Sequence, residues 1–170
     1  VKDFRWRKTP NQHVSLGGDD ISRGIYIPDD AKDIYYSAKD EEGIRNIYCT
    51  HLTDSLWSAP ALINEQMTSS SDEIYPMLSP DGQSLYFASK GLYGMGGYDL
   101  YVSNWNSETN DWDMPVNMGF PYSSPYDDFL FVNTEDGKYS IFASNRECGR
   151  DSVTIYVLEY DRMTVRIDLT

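Results

Sequence analysis

Only two cysteines and two histidines occur in the 170 residues, and the cysteines, Cys49 and Cys148, belong to no Cys-x-x-Cys pair. Paired thiols or imidazoles at short spacing mark zinc sites, so the sequence offers no metal-ligand motif. Basic residues are scarce: 14 Lys and Arg stand against 27 Asp and Glu, a formal net charge of −13. Such a field repels phosphate backbones and anionic lipid, which argues against nucleic acid and membrane surfaces as partners. Long apolar runs are missing as well. None approaches the roughly 20 residues that span a bilayer, and Val1 opens no leader pattern, so the chain reads as soluble, without membrane insertion. There is no Gly-x-Ser-x-Gly nucleophile elbow, and no motif sets a Ser or Cys nucleophile beside His13 or His51. Both histidines are expected to be solvated. The expectation is a chain that is not an enzyme and takes no cofactor.

What is present favours strands. Apolar residues make up 40% of the chain and aromatics 14%, with fourteen tyrosines, and aromatic side chains suit pleated, half-buried surfaces. A chain of this length suits one ordinary domain, which buries roughly 70% of its unfolded surface.

One unit recurs three times. Leu85-Tyr86-Phe87-Ala88-Ser89 returns as Ser140-Ile141-Phe142-Ala143-Ser144 at an offset of 55, and upstream as Ile34-Tyr35-Tyr36-Ser37-Ala38 at an offset of 51. A second strand type follows as Ile47-Tyr48-Cys49, Leu100-Tyr101-Val102 and Ile155-Tyr156-Val157. The spacing predicts a recurring hairpin. A Trp-x-x-Pro element runs from Trp57 to Pro60 and from Trp112 to Pro115, again 55 apart, and each copy leads to an acidic pair, Asp72-Glu73 or Asp127-Asp128. A strand then enters a turn carried by Asp81-Gly82 or Asp136-Gly137, with Pro28-Asp29-Asp30-Ala31 as the first copy.

Four strands in just over fifty residues match a β-propeller blade. The fold expected is all-β, with about three blades of four antiparallel strands, as a partial propeller or part of a larger ring. Residues 1–19 would hold an outer strand and linker of a preceding blade, with Trp6 and Pro10 in the strand. Blades would occupy 20–72, 73–127 and 128–170, Met163 to Leu169 supplying the last outer strand. Three blades are fewer than the four to eight of known rings, so neighbouring blades or a second copy are expected to complete it.

The acidic pairs Asp19-Asp20, Asp72-Glu73 and Asp127-Asp128 stand once per unit, just before an innermost strand. Adjacent carboxylates can bind a cation or act as acid and base. A feature repeated in every blade more often holds the blade together. With Tyr75, the pairs are still the best candidates for a channel mouth that binds a partner. Trp57, Pro60, Asp81, Gly82, Gly96, Gly97, Asp99, Trp112, Pro115, Asp136 and Gly137 read as structural anchors. The run Gly94-Met95-Gly96-Gly97 precedes a strand and not a helix, which favours a hairpin turn over a phosphate loop. Cys49 takes the strand position of Val102 and Val157, as a small core residue. Cys148 lies two blades away, beyond disulfide reach. Both tryptophans of the Trp-x-x-Pro elements suit packing between blades; Trp105 has no aligned counterpart.

The string Asp81 to Ser89, then Gly96-Gly97-Tyr98-Asp99-Leu100-Tyr101, then Trp112-Asp113-Met114-Pro115-Val116-Asn117, resembles the TolB-type, WD-repeat-like (PD40) propeller. More narrowly, it is similar to the version in Bacteroidetes envelope proteins, where such propellers often precede an OmpA-type domain. The resemblance covers about residues 20–160 and is tightest in the second unit. In the first unit Ala31 replaces the turn glycine, and in the third Cys148-Gly149-Arg150-Asp151-Ser152 replaces the glycine run. It implies a noncatalytic interaction or scaffold module with a protein partner, located in the periplasm or at the outer membrane. Two other readings stay open: a small-ligand or glycan receptor using Tyr75, Tyr98, Tyr126 and Asp127, or the propeller portion of a larger hydrolase.

Overall fold

The computed structural model describes residues 32–149 and 152–160. Phe4 to Pro10, His13, Asp19-Asp20, the turn at Pro28 to Ala31 and Met163 to Leu169 lie outside the described residues. The all-β architecture expected from the repeat is present, as three antiparallel sheets. The first holds β1 (Asp33–Lys39), β2 (Arg45–Thr53), β3 (Leu56–Trp57) and β4 (Ala61–Leu62). The second holds β5 (Glu73–Leu78), β6 (Ser84–Ser89), β7 (Asp99–Asn106), β8 (Asp111–Trp112) and β9 (Val116–Asn117). The third holds β10 (Asp128–Asn133), β11 (Tyr139–Ser144) and β12 (Thr154–Glu159).

The Asp-Gly turns form where the residue types demand them. Gly82 and Gly137 have φ of +71° and +65°, a left-handed backbone that glycine adopts without a Cβ penalty. Asp81 and Asp136 each accept the N–H two residues on, from Gln83 and Lys138, at 3.0 Å. That side-chain bond closes the turn between the paired strands.

The Trp-x-x-Pro outer strand is present as two short pieces, because a residue is inserted between them. Trp57 pairs with Leu52, yet Ala61 pairs with Cys49, one position out of register. In the second sheet Trp112 pairs with Trp105 and Val116 with Val102, with the same slip. Proline brings no N–H to a ladder, and the interruption is satisfied from inside. The hydroxyls of Thr50 and Ser103 donate to the carbonyls of Ser58 and Asp113 at 2.8 and 2.5 Å. A matching bulge interrupts β5 and β10, with Tyr75 and Leu130 at φ of +52° and +57°.

Alternation along the strands gives each sheet two apolar faces, so the core lies between sheets. Ile47 of the first sheet joins Leu85, Phe87, Tyr101 and Trp112 of the second in one buried cluster, with Met67 from the connecting segment. Ala88 and Leu100 of the second sheet join Phe131 and Phe142 of the third in another. Trp112 meets Tyr35 edge-on across the first junction, at 5.7 Å between centroids. Trp105 is its second edge partner at 5.3 Å, which gives that unmatched tryptophan a packing role. Trp57 packs on the opposite face of the first sheet, with Ile34, Tyr36 and Ala38. Phe87→Ala is expected to lower stability by about 3–5 kcal/mol in urea unfolding. A cost below about 1 kcal/mol would contradict its place at the centre of the first junction.

Candidate functional site: the acidic seam between sheets

The two acidic pairs among the described residues, Asp72-Glu73 and Asp127-Asp128, sit at the seams, and the pleat divides each between two tasks. Successive side chains on a strand point opposite ways. The first acid of each pair reaches back to the preceding sheet: Asp72 Oδ1 accepts the Arg45 N–H at 2.9 Å, and Asp127 Oδ1 accepts the Tyr98 N–H at 3.0 Å. Arg45 and Tyr98 occupy equivalent places at the start of the third strand of their units. Asp72 also accepts the Tyr98 hydroxyl at 3.1 Å. Asp127 accepts Asn145 Nδ2 at 2.9 Å and donates its own N–H to Asn145 Oδ1 at 2.8 Å.

The second acids are fully buried. Glu73 Oε1 accepts the hydroxyls of Ser69 and Ser89 at 2.6 and 2.8 Å, and Oε2 accepts the Ser69 N–H at 3.3 Å. Asp128 Oδ2 accepts Ser124 at 2.7 Å, while Oδ1 takes Nη2 and Nε of Arg146 at 2.5 and 3.2 Å. Arg146 also donates to the carbonyls of Pro121 and Tyr122 and lies over the rings of Phe142 and Tyr156. Burying a carboxylate is costly, and the cost falls as its lone pairs are occupied. The longer Glu73 meets that need with hydroxyls and an N–H, the shorter Asp128 with a hydroxyl and a guanidinium.

Asp99, a third buried acid, closes the glycine-rich turn by accepting the N–H groups of Met95 and Gly96 at 2.7 and 3.1 Å. Its Oδ1 is buried with no hydrogen-bond partner among the described residues, and the nearby Ser123 hydroxyl bonds the Leu100 backbone. Burial pushes the Asp99 carboxyl up, against the pull of the two N–H groups. The turn is glycine-rich for steric reasons. A Cβ on Gly96 would lie 2.4 Å from the Pro125 carbonyl carbon, and one on Gly97 would lie 2.1 Å from Asp127 Oδ1.

Tyr75 stands at the β5 bulge, partly exposed, and stacks on Phe129 of β10 at 5.7 Å between centroids. Asp72 and Glu73 thus lie at the first seam and Asp127 and Asp128 at the second, linked by Tyr98, whose hydroxyl meets Asp72 and whose N–H meets Asp127, and by the stack of Tyr75 on Phe129. Ser69, Ser89, Ser124, Ser144, Asn145 and Arg146 complete the seams without belonging to any site motif of the sequence. The serines were legible as a pattern, since Ser69 and Ser124, like Ser89 and Ser144, are 55 apart. Arg146 had no such signal, because its aligned position is Gly91.

A second cluster of polar, potentially metal-ligating side chains lies in the first sheet. Asp33, Cys49 and His51 place their donor atoms within 4.8 Å of one another, and His51 Nδ1 pairs with Asp33 Oδ1. Burial, reinforced by the negative charge of Asp33, pushes the Cys49 thiol up to about 12. The group falls in no spacing motif because the two strands of a hairpin bring it together. The signal was the pair Cys49-Thr50-His51, which a strand puts on one face. Cys49 and Cys148 are both free, in the first sheet and after β11.

Burial raises the Glu73 carboxyl above its ordinary value of 4.5, against the opposing effect of the Ser69 and Ser89 hydroxyls. The folded chain then holds its proton more tightly than the unfolded chain does. This group's contribution to stability is therefore present at and below pH 4.5 and declines as pH rises through the folded value. Glu73→Gln is expected to flatten that decline in urea midpoints taken from pH 4 upward; an unchanged slope would contradict it. Asp128→Ala strands the Arg146 guanidinium and is expected to cost about 3 kcal/mol. That is the low end for a broken buried pair, since two carbonyls still hold Arg146.

No protein-family model matches the sequence, and no curated protein matches it. Several solved structures share its fold, two of which are TolB structures. TolB from Acinetobacter baumannii has a TM-score of 0.50 and 15% identity, covering 76% of this chain and 28% of its own. A protein described as TolB from Agrobacterium tumefaciens has a TM-score of 0.54 and 20% identity, covering 82% of this chain and 43% of its own. The chain thus spans less than half the length of either. At these identities the likeness concerns architecture. With three antiparallel sheets joined by acidic seams, the chain has the partial β-propeller fold of TolB-type structures.

Proposed function

We propose that this chain is a noncatalytic interaction module, a run of propeller blades in a bacterial cell-envelope protein, that presents one loop rim to a protein partner. The units 20–72, 73–127 and 128–170 are its blades. The observation that carries the reading is the aromatic exposure on the loops at the acidic end. Tyr93 is 100% and Phe120 84% exposed, with Met95 and Tyr126 beside them in sequence on the same two loops. These loops are held in place. The Tyr101 hydroxyl bonds the Tyr93 carbonyl, and Gly96 lies against Pro125. Large apolar side chains on pre-organised loops supply interface area at little cost in conformational entropy. Asp72, Asp127 and Tyr75, with Asp19 and Asp20, would give the rim an acidic edge, with Glu73 and Asp128 supporting it from beneath.

The envelope assignment, periplasmic or outer-membrane-associated, rests on the resemblance to envelope propellers and on the likeness to TolB folds. Among the described residues no helix is long and apolar enough to cross a membrane.

A second surface suits a further blade. Ile47 and Leu100, each covered by the next sheet, are 0% exposed; Ile155, at the same position of the third sheet, is 55% exposed. A neighbouring blade of a longer chain, or a second copy, would cover it.

The test is co-isolation from envelope extracts. The partner retained by the chain should be weakened by Tyr93→Ser with Phe120→Ser. A single hot-spot aromatic is worth about 2 kcal/mol, roughly 30-fold. Equal retention by the double variant would sink the rim reading.

A further inference from the structure

We propose that Asp33, Cys49 and His51 form a binding site for a divalent transition-metal ion of the zinc class on the outer part of the first sheet. The pleat makes the arrangement. Cys49 and His51, two apart on β2, share a face, and Asp33 of β1 stands opposite His51 in the antiparallel register. The Cys49 Sγ lies 3.8 Å from His51 Nε2 and 3.9 Å from Nδ1. Tetrahedral coordination with bonds of about 2.0–2.3 Å places neighbouring donors about 3.3–3.8 Å apart. Only small side-chain movements separate the observed group from that geometry, chiefly the opening of the Asp33–His51 hydrogen bond. A thiolate, an imidazole and a carboxylate form a mixed donor set suited to a borderline-soft ion and ill suited to calcium or magnesium.

The repeat provides an internal control. The positions of Asp33, Cys49 and His51 are filled by Ser84, Val102 and Asn104 in the second sheet and by Tyr139, Val157 and Glu159 in the third. Both other sheets keep a cross-strand hydrogen bond there, Ser84 to Asn104 at 2.9 Å and Tyr139 to Glu159 at 3.3 Å. A blade therefore needs a polar pair at its outer end and an apolar residue between. It does not need a thiol, an imidazole and a carboxylate together. All three substitutions fall in one blade and converge on one point, unlike the seam acids, which recur at each junction for a packing reason.

The side chains of His51 and Asp33 are 58% and 43% exposed, so the ion can enter from solvent. Three protein donors leave a fourth position for water or for a donor from a partner. Binding would release the Cys49 thiol proton to solvent, as for other thiolate sites, while His51 would ligate as a neutral imidazole that keeps one ring N–H.

Cobalt is the probe, because its thiolate charge-transfer absorption reports a metal–sulfur bond directly. Titrating the reduced chain with Co2+ is expected to produce that band, and Zn2+ to abolish it by displacement. Cys49→Val, His51→Asn and Asp33→Ser each install the residue of the second sheet, whose fold tolerates them. Cys49→Val should lose the band, and the other two should weaken binding at least tenfold, with circular dichroism unchanged. Cys148→Ser should retain the band. In that background Zn2+ should slow alkylation of Cys49, a readout that requires no change at the site. Absence of the band, its survival in Cys49→Val, or Cys49 alkylation indifferent to Zn2+ would overturn the proposal.

Discussion

The buried carboxylate at each sheet junction is the constraint on which the rest of the architecture depends. Apolar burial drives the sheets together but is non-directional, so the faces of two similar sheets could meet in many registers. A desolvated charge narrows that choice, because its oxygens must each find donors at hydrogen-bond geometry. Glu73 finds them in serines just before the strand and at the end of its hairpin partner, and Asp128 in the serine just before the strand. Arg146 adds a cation in the third sheet. The adjacent Asp72 and Asp127 point the other way and bind the backbone of the preceding sheet. Each seam thus ties a sheet to itself and to its neighbour through two consecutive residues.

The same seam governs what the loops can present. The glycine-rich turn before β7 lies close against the segment before β10 because Gly96 and Gly97 leave room for Pro125 and Asp127. Rigid support beneath a loop allows large apolar side chains to remain in solvent without collapsing onto the core. The left-handed backbone at Tyr75 and Leu130, at matched bulges in successive inner strands, belongs to the same design. Such residues cost about 1–3 kcal/mol each and persist only where the surroundings determine them. At Tyr75 the stack on Phe129 of the next inner strand is one such determinant.

Repetition separates scaffold from specialised chemistry within one chain. The turn aspartates, the first acid of each described pair and the outer-strand slip recur with equivalent partners, and the second acid recurs in the same buried place, so their explanation is architectural. Asp33, Cys49 and His51 share a place in the repeat but not its chemistry. Arg146 is intermediate: it substitutes for a glycine of the second unit, yet serves the same carboxylate position as the rest.

The sequence by itself determined the strand content, the hairpin order, the Asp-Gly turns and the inter-blade role of Trp112, because these follow from local periodicity and from residue types repeated at 55. It also located the acidic pairs and marked Cys49 as a small residue facing the core. Tertiary structure alone decided which acid of each pair is buried, since that depends on which side of the strand meets donors from elsewhere in the chain. It decided that Trp105 packs on Trp112, and that the Trp-x-x-Pro strand breaks into two pieces around an inserted residue. Cross-strand register brought Asp33 to His51 and Cys49, across 18 residues of sequence. Linear spacing carries no record of that proximity, because an antiparallel pairing is fixed only when both strands and the sheet behind them are in place.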